Sequence, residues 1–189
     1  MFTYWKRQEI QTRISAIISA IIALLGVALL PACSTIDSAA PVAFDRQARW
    51  ALLPFVNTTD TPLAGQRAEA VALGLAQSMG LRDIQHYPQS MQDDSIFEAG
   101  TGRTQGQALS WAREQQARYA LTGTVQEWRY KVGVDGEPAV GVTLQVLDLS
   151  DGRVIWSAVG ARSGWSRESL AAVGQKLMKE MLTPGFKAP

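Results

Sequence analysis

The sequence predicts a mixed α/β (α+β) sandwich in which helices cover a mixed sheet, in the order βαβα-βββ-α. Three observations predict it. In the first half, two short apolar runs are each followed by a stretch with apolar residues three and four apart, the pattern of strand–helix units. In the second half, two Asp-Gly pairs stand between long extended runs, the pattern of consecutive hairpins. A closing amphipathic stretch supplies a further helix, because a sheet with an apolar face must bury it against another layer.

The first element is Trp50-Ala51-Leu52-Leu53-Pro54-Phe55-Val56-Asn57, a short apolar run that ends in turn residues, as a buried strand does. Pro54 removes one ladder donor and predicts a strand edge or bulge at that point. Thr61-Pro62 predicts a helix start, with Thr61 as N-cap and Pro62 at the first helical position. Ala68, Val71, Ala72, Leu75 and Met79 continue that helix, and Gly80 stops it. Ile84 to Tyr87 reads as a second short strand. Residues 88–103 are the least regular, with Asp93-Asp94, Glu98 and Gly100-Thr101-Gly102. The spacing of Ala108, Leu109, Trp111 and Ala112 predicts a helix over 104–116. Residues 119–130 are rich in aromatic and β-branched types and predict a long strand. Asp135-Gly136 and Asp151-Gly152 supply the positive φ of tight turns around strands at 140–149 and 154–162. Val140, Val142, Leu144 and Val146 then share one face. Ser166 is expected to cap a last helix, whose stripe is Leu170, Val173, Leu177 and Met181.

The amino terminus carries a different kind of signal. Lys6, Arg7 and Arg13 precede an uncharged apolar run over 14–30, the order of a signal peptide. The run lies at the short edge of the roughly 17–25 residues that a membrane-crossing helix needs. Leu30-Pro31-Ala32-Cys33 closes it, followed by the polar Ser34, Thr35, Asp37 and Ser38. This resembles the lipobox of bacterial lipoproteins, with Pro31 an uncommon middle residue. It implies cleavage before Cys33 and acylation of that cysteine, and Ser34 in the next position implies the outer membrane. The organisation expected is therefore a signal peptide over 1–32, an acylated Cys33 with a flexible tether over 33–48, one globular domain over 49–183, and a tail over 184–189. Cys33 is the chain's one cysteine, so no intrachain disulfide can form.

Charge and composition exclude several classes. The formal net charge is +1, and loss of Lys6, Arg7, Arg13 and Glu9 with the signal leaves about −1, with no basic excess for nucleic acid. The one histidine, His86, lies on a predicted strand, and no serine stands in a Gly-x-Ser-x-Gly elbow. One His and one acylated Cys are too few for a metal centre built on those ligands. The stretch Gly100-Thr101-Gly102-Arg103-Thr104-Gln105-Gly106 lacks the Gly-Lys-Ser/Thr ending of a phosphate-binding loop. No cofactor is expected, and the reading is non-enzymatic.

The tryptophans offer a lead in place of catalysis. Trp50 and Trp156 sit in predicted strands and read as core. Trp165 lies in Arg162-Ser163-Gly164-Trp165-Ser166, a Gly- and Ser-rich turn where a core residue is not expected. An indole suits an apolar bed with its N–H in a wet zone, as membrane and protein interfaces provide. Trp165 and Trp128 are therefore read as interface residues.

Three segments together resemble the PelC family of outer-membrane lipoproteins of Pel exopolysaccharide export. They are Trp50 to Asn57 with Thr61-Pro62-Leu63-Ala64-Gly65, then Leu121-Thr122-Gly123-Thr124-Val125-Gln126-Glu127-Trp128-Arg129-Tyr130, and Gly160-Ala161-Arg162-Ser163-Gly164-Trp165-Ser166-Arg167-Glu168-Ser169. The first two also occur in other envelope lipoproteins with a domain like the amino-terminal domain of TolB; the third, with Trp128-Arg129-Tyr130, is specific. The resemblance implies a homo-oligomeric, dodecameric ring on the periplasmic face of the outer membrane, around the export porin PelB. Such a ring would guide a cationic, partly deacetylated aminosugar polymer through an acidic lumen in biofilm matrix formation. On that reading Asp93, Asp94, Asp135, Glu137, Asp148 and Asp151 are the acidic candidates. Trp165 suits a membrane or subunit belt, and Arg103 or Arg162 a subunit contact. A second reading, from another class, is a TolB-like lipoprotein that binds and activates a periplasmic cell-wall synthase; it calls for a monomer on a longer tether.

Overall fold

The computed structural model describes residues 34–91, 102–133 and 136–186, together with Arg13, Ile18 and Ser19. The chain divides into the units Met1–Ala32 and Cys33–Pro189, and the fold is that of the second. Its elements run β1 (Ser34–Ser38), β2 (Trp50–Leu52), β3 (Val56–Asn57), α1 (Ala64–Ser78), β4 (Ile84–His86), α2 (Gly102–Glu114), β5 (Tyr119–Tyr130), β6 (Pro138–Asp148), β7 (Arg153–Ser163) and α3 (Leu170–Phe186). A single 3-10 turn at Gln89–Met91 follows β4. The strands form one sheet in the order β1-β7-β6-β5-β2-β4, with β3 also beside β5. β2 runs parallel to β4 and β5, while β5, β6, β7 and β1 are antiparallel neighbours. The mixed sheet covered by helices is thus present, with two more strands than the sequence pattern announces: β1, and β3 split from the first apolar run.

Pro54 splits the first apolar run into β2 and β3. Pairing with β5 resumes on both sides of it: Leu53 N–H donates to the Leu121 carbonyl at 2.9 Å and Thr58 N–H to the Val125 carbonyl at 3.0 Å. Between them the backbone groups find side chains. The Pro54 carbonyl accepts from Thr122 Oγ1 at 3.1 Å, and Phe55 N–H donates to Oε1 of the buried Glu69 at 3.0 Å. A buried backbone N–H without such an acceptor would cost about 1–3 kcal/mol.

Both faces of β2 are covered, so Trp50, Ala51, Leu52 and Leu53 are all buried, as expected of a parallel strand between two layers. On one face α1 and α3 pack over Trp50, Leu52, Leu121, Val142, Leu144 and Trp156. On the other, Ala108 and Ala112 of α2 lie against Ala51, Leu53 and Ala120. Trp50 and Trp156 are core residues, as their strand positions imply.

Several boundaries differ from the sequence reading. The expected tether contains β1, which pairs with β7 from Ser34 opposite Arg162 to Ser38 opposite Ala158. It also contains the buried Phe44, whose ring meets Trp50 at 5.6 Å and Phe186 at 5.1 Å. Residues 184–186 are not tail: α3 continues through them and buries Phe186. Helix α1 begins at Ala64 rather than Pro62, because Leu63 adopts a left-handed conformation (φ 59°) and Thr61 Oγ1 donates to the Trp128 carbonyl at 2.7 Å instead of capping. Ser169, not Ser166, caps α3: its Oγ accepts from Ala172 N–H at 3.1 Å, three residues on, as an N-cap side chain does. The Asp151-Gly152 turn is as expected, with Gly152 at φ 74°, a conformation that favours glycine.

Candidate functional site

The strand register gathers one end of the sheet. Tyr130 pairs with Pro138, Ala139 with Ser163, and Arg162 with Ser34, the residue bonded to Cys33. Cys33 itself lies outside the described residues. From this end rise the turns after β5 and β7, and they carry large apolar groups into solvent: Val132 is fully exposed, Trp165 is 65% exposed and Tyr130 is 50% exposed. Single exposed apolar residues are ordinary on a protein surface; here three stand at the same end of the sheet.

These turns are braced. Gly164 N–H donates to the Pro138 carbonyl at 2.8 Å and Lys131 N–H to the Glu137 carbonyl at 2.7 Å. Lys131 Nζ donates to Ser163 Oγ at 2.6 Å, and Leu170 N–H to the Tyr130 hydroxyl at 3.1 Å. Glu168 Oε2 accepts from Trp165 N–H at 3.3 Å, while its other oxygen meets Lys176. The Lys176 ammonium holds the Glu168 carboxyl below its ordinary range. The indole of Trp165 is thus exposed but carried on a fixed turn, which suits an interfacial residue that keeps an apolar body and a polar N–H at one boundary.

Trp128 is not part of that surface. It is buried, with Gly174 of α3 against its ring. The reason is a bulge: Val125 pairs with Val142 and Glu127 with the adjacent Gly141, so Gln126 is an extra residue on β5. Alternation continued from Leu121 and Val125 would turn Trp128 outward; the extra residue turns it in.

The remaining candidates are dispersed. Arg162 Nη1 donates to Glu180 Oε1 at 2.7 Å, an ion pair within the protomer that leaves the arginine side chain 15% exposed. Arg103 lies in the first turn of α2, but its side chain is outside the described residues, as are Asp93, Asp94 and Asp135. Glu137 is exposed at the Trp165 end. Asp148 and Asp151 are at the other end of the β6–β7 hairpin, roughly 33 Å away at about 3.3 Å per strand residue. Asp148 accepts from the Ser150 hydroxyl and N–H and pairs with Arg118 at 2.8 Å, and these groups, Ser150 first, lower its pKa. Asp151 Oδ1 accepts from Arg153 N–H at 2.9 Å. Among the described residues, Glu137 therefore does not cluster with Asp148 and Asp151. His86 meets the buried Glu69, Nε2 to Oε2 at 3.0 Å. Among the described residues no group of three or more His, Cys, Asp or Glu could hold a metal ion, and no helix is long and apolar enough to cross a membrane.

Sequence reasoning missed Tyr130 and Val132 as companions of Trp165. A signal was present, since Val132 is an apolar residue between Lys131 and Gly133 in a turn, but its place at the same sheet end as Trp165 depends on the register of three strands.

No protein-family profile matches the chain. No curated protein matches it either. Among solved structures, the PelC dodecamer from Paraburkholderia phytofirmans is 39% identical, with a TM-score of 0.71, and the match covers 83% of this chain and 100% of that one. A single-substitution form of the same PelC dodecamer in another space group matches at the same identity and TM-score over 82% of this chain. A lipoprotein from Neisseria meningitidis matches at 12% identity and a TM-score of 0.46, over 68% of this chain and 92% of that one. Identity at the level of the first two, over the whole length of the relative, shows the family: the chain belongs to the PelC family.

Proposed function

We propose that this protein is a non-enzymatic component of Pel exopolysaccharide export, anchored through acylated Cys33 on the periplasmic face of the outer membrane. There it associates with copies of itself in a dodecameric ring beside the porin PelB and helps a cationic polysaccharide to the pore. The observation that carries this reading is the 39% identity to a PelC that is itself a dodecamer. The sheet end that begins at Ser34 adds a physical reason. An anchor on Cys33 and the exposed Trp165, Tyr130 and Val132 would meet the same bilayer surface, where tryptophan and tyrosine are favoured. Acyl chains contribute roughly 0.8 kcal/mol per buried CH₂, so more than one on Cys33 gives stable attachment.

The cell-wall synthase reading needs a domain that ranges far from its anchor. With Ser34 already in the sheet, the chain supplies no such reach. Native mass measurement of the acyl-free protein tests the assembly, and a monomer at high concentration overturns it. Deletion of the protein in its own cells tests the role: secreted polymer is expected to disappear and to return on complementation, and undiminished secretion overturns the reading.

A further inference from the structure

Helix α2 carries a cleft that the anchored sheet end does not use. Gln107, Ser110, Trp111 and Glu114 fall at i, i+3, i+4 and i+7, so they form one stripe along the helix. Opposite them are Tyr87 and Met91, just past β4, and Gly106 completes the wall. The cleft is open to solvent and has a volume of about 720 Å³, a size suited to one small ligand or one unit of a chain.

Its centre is Trp111. The Tyr87 ring meets the indole edge-on, with centroids 5.3 Å apart and planes at 88°, and Tyr87 is itself buried. The indole is therefore fixed by packing and half-buried, and it lines the cleft. Polar groups surround it. The Gln107 amide, the Ser110 hydroxyl and the Glu114 carboxylate are all on exposed residues. Ser110 Oγ donates to the Gly106 carbonyl at 3.1 Å, which leaves the hydroxyl oxygen ready to accept. Glu114 makes no ion pair among the described residues.

An indole lining a cleft together with an amide, a hydroxyl and one carboxylate matches a pyranose, which has an apolar C–H face and a polar edge. The carboxylate selects further. It favours a cationic ligand, which the indole face also attracts, and it repels phosphates and carboxylates, for which the cleft wall offers no Lys or Arg. We propose that this cleft binds one hexosamine residue of a glycan, with its ring face on Trp111, its ammonium at Glu114 and its hydroxyls at Gln107 and Ser110. The identity of the natural glycan rests on the export reading above; the binding chemistry does not.

The test is calorimetric titration of the full-length, detergent-solubilised protein with a glucosamine hexamer and, separately, an N-acetylglucosamine hexamer. The wild type is expected to bind the free-amine hexamer at least about tenfold more tightly, since the acetylated one loses its charge pair. Glu114→Gln should abolish that preference, and Trp111→Ala should weaken binding at least about tenfold. Trp111 also packs on the core, so Gly106→Leu is the control for folding: Gly106 lines the cleft, it is exposed, and a Cβ there meets nothing within 4 Å. This variant should keep its melting temperature and lose binding. Absence of saturable binding by the wild type, or equal binding by Gly106→Leu, overturns the proposal. A wild type that restores polymer secretion yet binds neither hexamer overturns the cleft and leaves the export role standing. One that binds the free-amine hexamer but is dispensable for secretion does the reverse.

Discussion

Gly174 of α3 lies so close to Trp128 of β5 that a Cβ on the glycine would stand 2.7 Å from Cη2 of the indole. The contact exists because the bulge at Gln126 turns Trp128 inward and because the helix presents a residue with no side chain at that height. The helix thereby approaches the sheet closely, at the cost of about 1 kcal/mol that glycine loses to alanine in a helix interior.

Gly174→Ala is therefore expected to destabilise the fold by about 1 kcal/mol, because overpacking of about 1–3 kcal/mol exceeds the propensity gain. Gly74→Ala in α1, where an added Cβ meets nothing within 4 Å, should stabilise it by about 0.5–1 kcal/mol. Urea midpoints of the two variants should move in opposite directions, and a shared direction would refute the packing argument.

Exchange at β1 distinguishes a strand from a tether. Ala39 N–H donates to the Ser157 carbonyl at 2.8 Å. Antiparallel pairs alternate between bonded and non-bonded, so Asp37 and Thr35 turn their amides to β7, whereas Ile36 and Ser38 turn theirs outward. Native-state hydrogen exchange should show protection with a period of two along 35–39. Uniformly fast exchange there would mean that β1 is not formed.

Acid stability should depend in part on Glu168 and Asp148, two of the three described carboxylates held low, the third being Asp83 beside Arg49. Lys176 holds Glu168 low, and the Ser150 groups followed by Arg118 hold Asp148 low. A folded-state value below the unfolded one gives stability that is present above the ordinary carboxylate range and lost as pH falls through the folded value. Glu168→Gln with Asp148→Asn should flatten the decline in urea midpoint between about pH 5 and pH 2. An unchanged acid limb would show that other groups set it.

The proposed anchoring is separable from folding. Cys33→Ser should release the protein from the membrane with its circular dichroism and melting curve unchanged; a variant that stays bound would identify residues 14–30 as an uncleaved anchor. In that background Trp165→Ser should lower residual vesicle association by about threefold or more. Its stability should change by no more than about 0.5 kcal/mol, because the side chain is exposed.

What the sequence discloses is local. The strand at 119–130 and the turn at Gly152 follow from β-branched runs and Asp-Gly, signals held within a few residues. β1 was illegible for a physical reason. Ser34-Thr35-Ile36-Asp37-Ser38 is a polar edge strand with one neighbour, and its one apolar side chain, Ile36, is half-buried near Gly160 of β7, far along the chain. Trp128 was misread because a bulge leaves no mark in the hydrophobic alternation before it. The exposure of Trp165 could be read from its Gly and Ser neighbours; the placing of Tyr130 and Val132 at the same sheet end could not, since hairpin registers bring it about.

The β1–β7 pairing also determines how force would travel through an acylated molecule. A pull on Cys33 would reach Ser34 at once, with no slack chain to absorb it, and would load the β1–β7 hydrogen bonds before the aromatic packing of Phe44, Trp50 and Phe186 felt any strain. The edge strand would act as a mechanical coupling, so that a tilt of the lipid-bearing end becomes a tilt of the whole sheet.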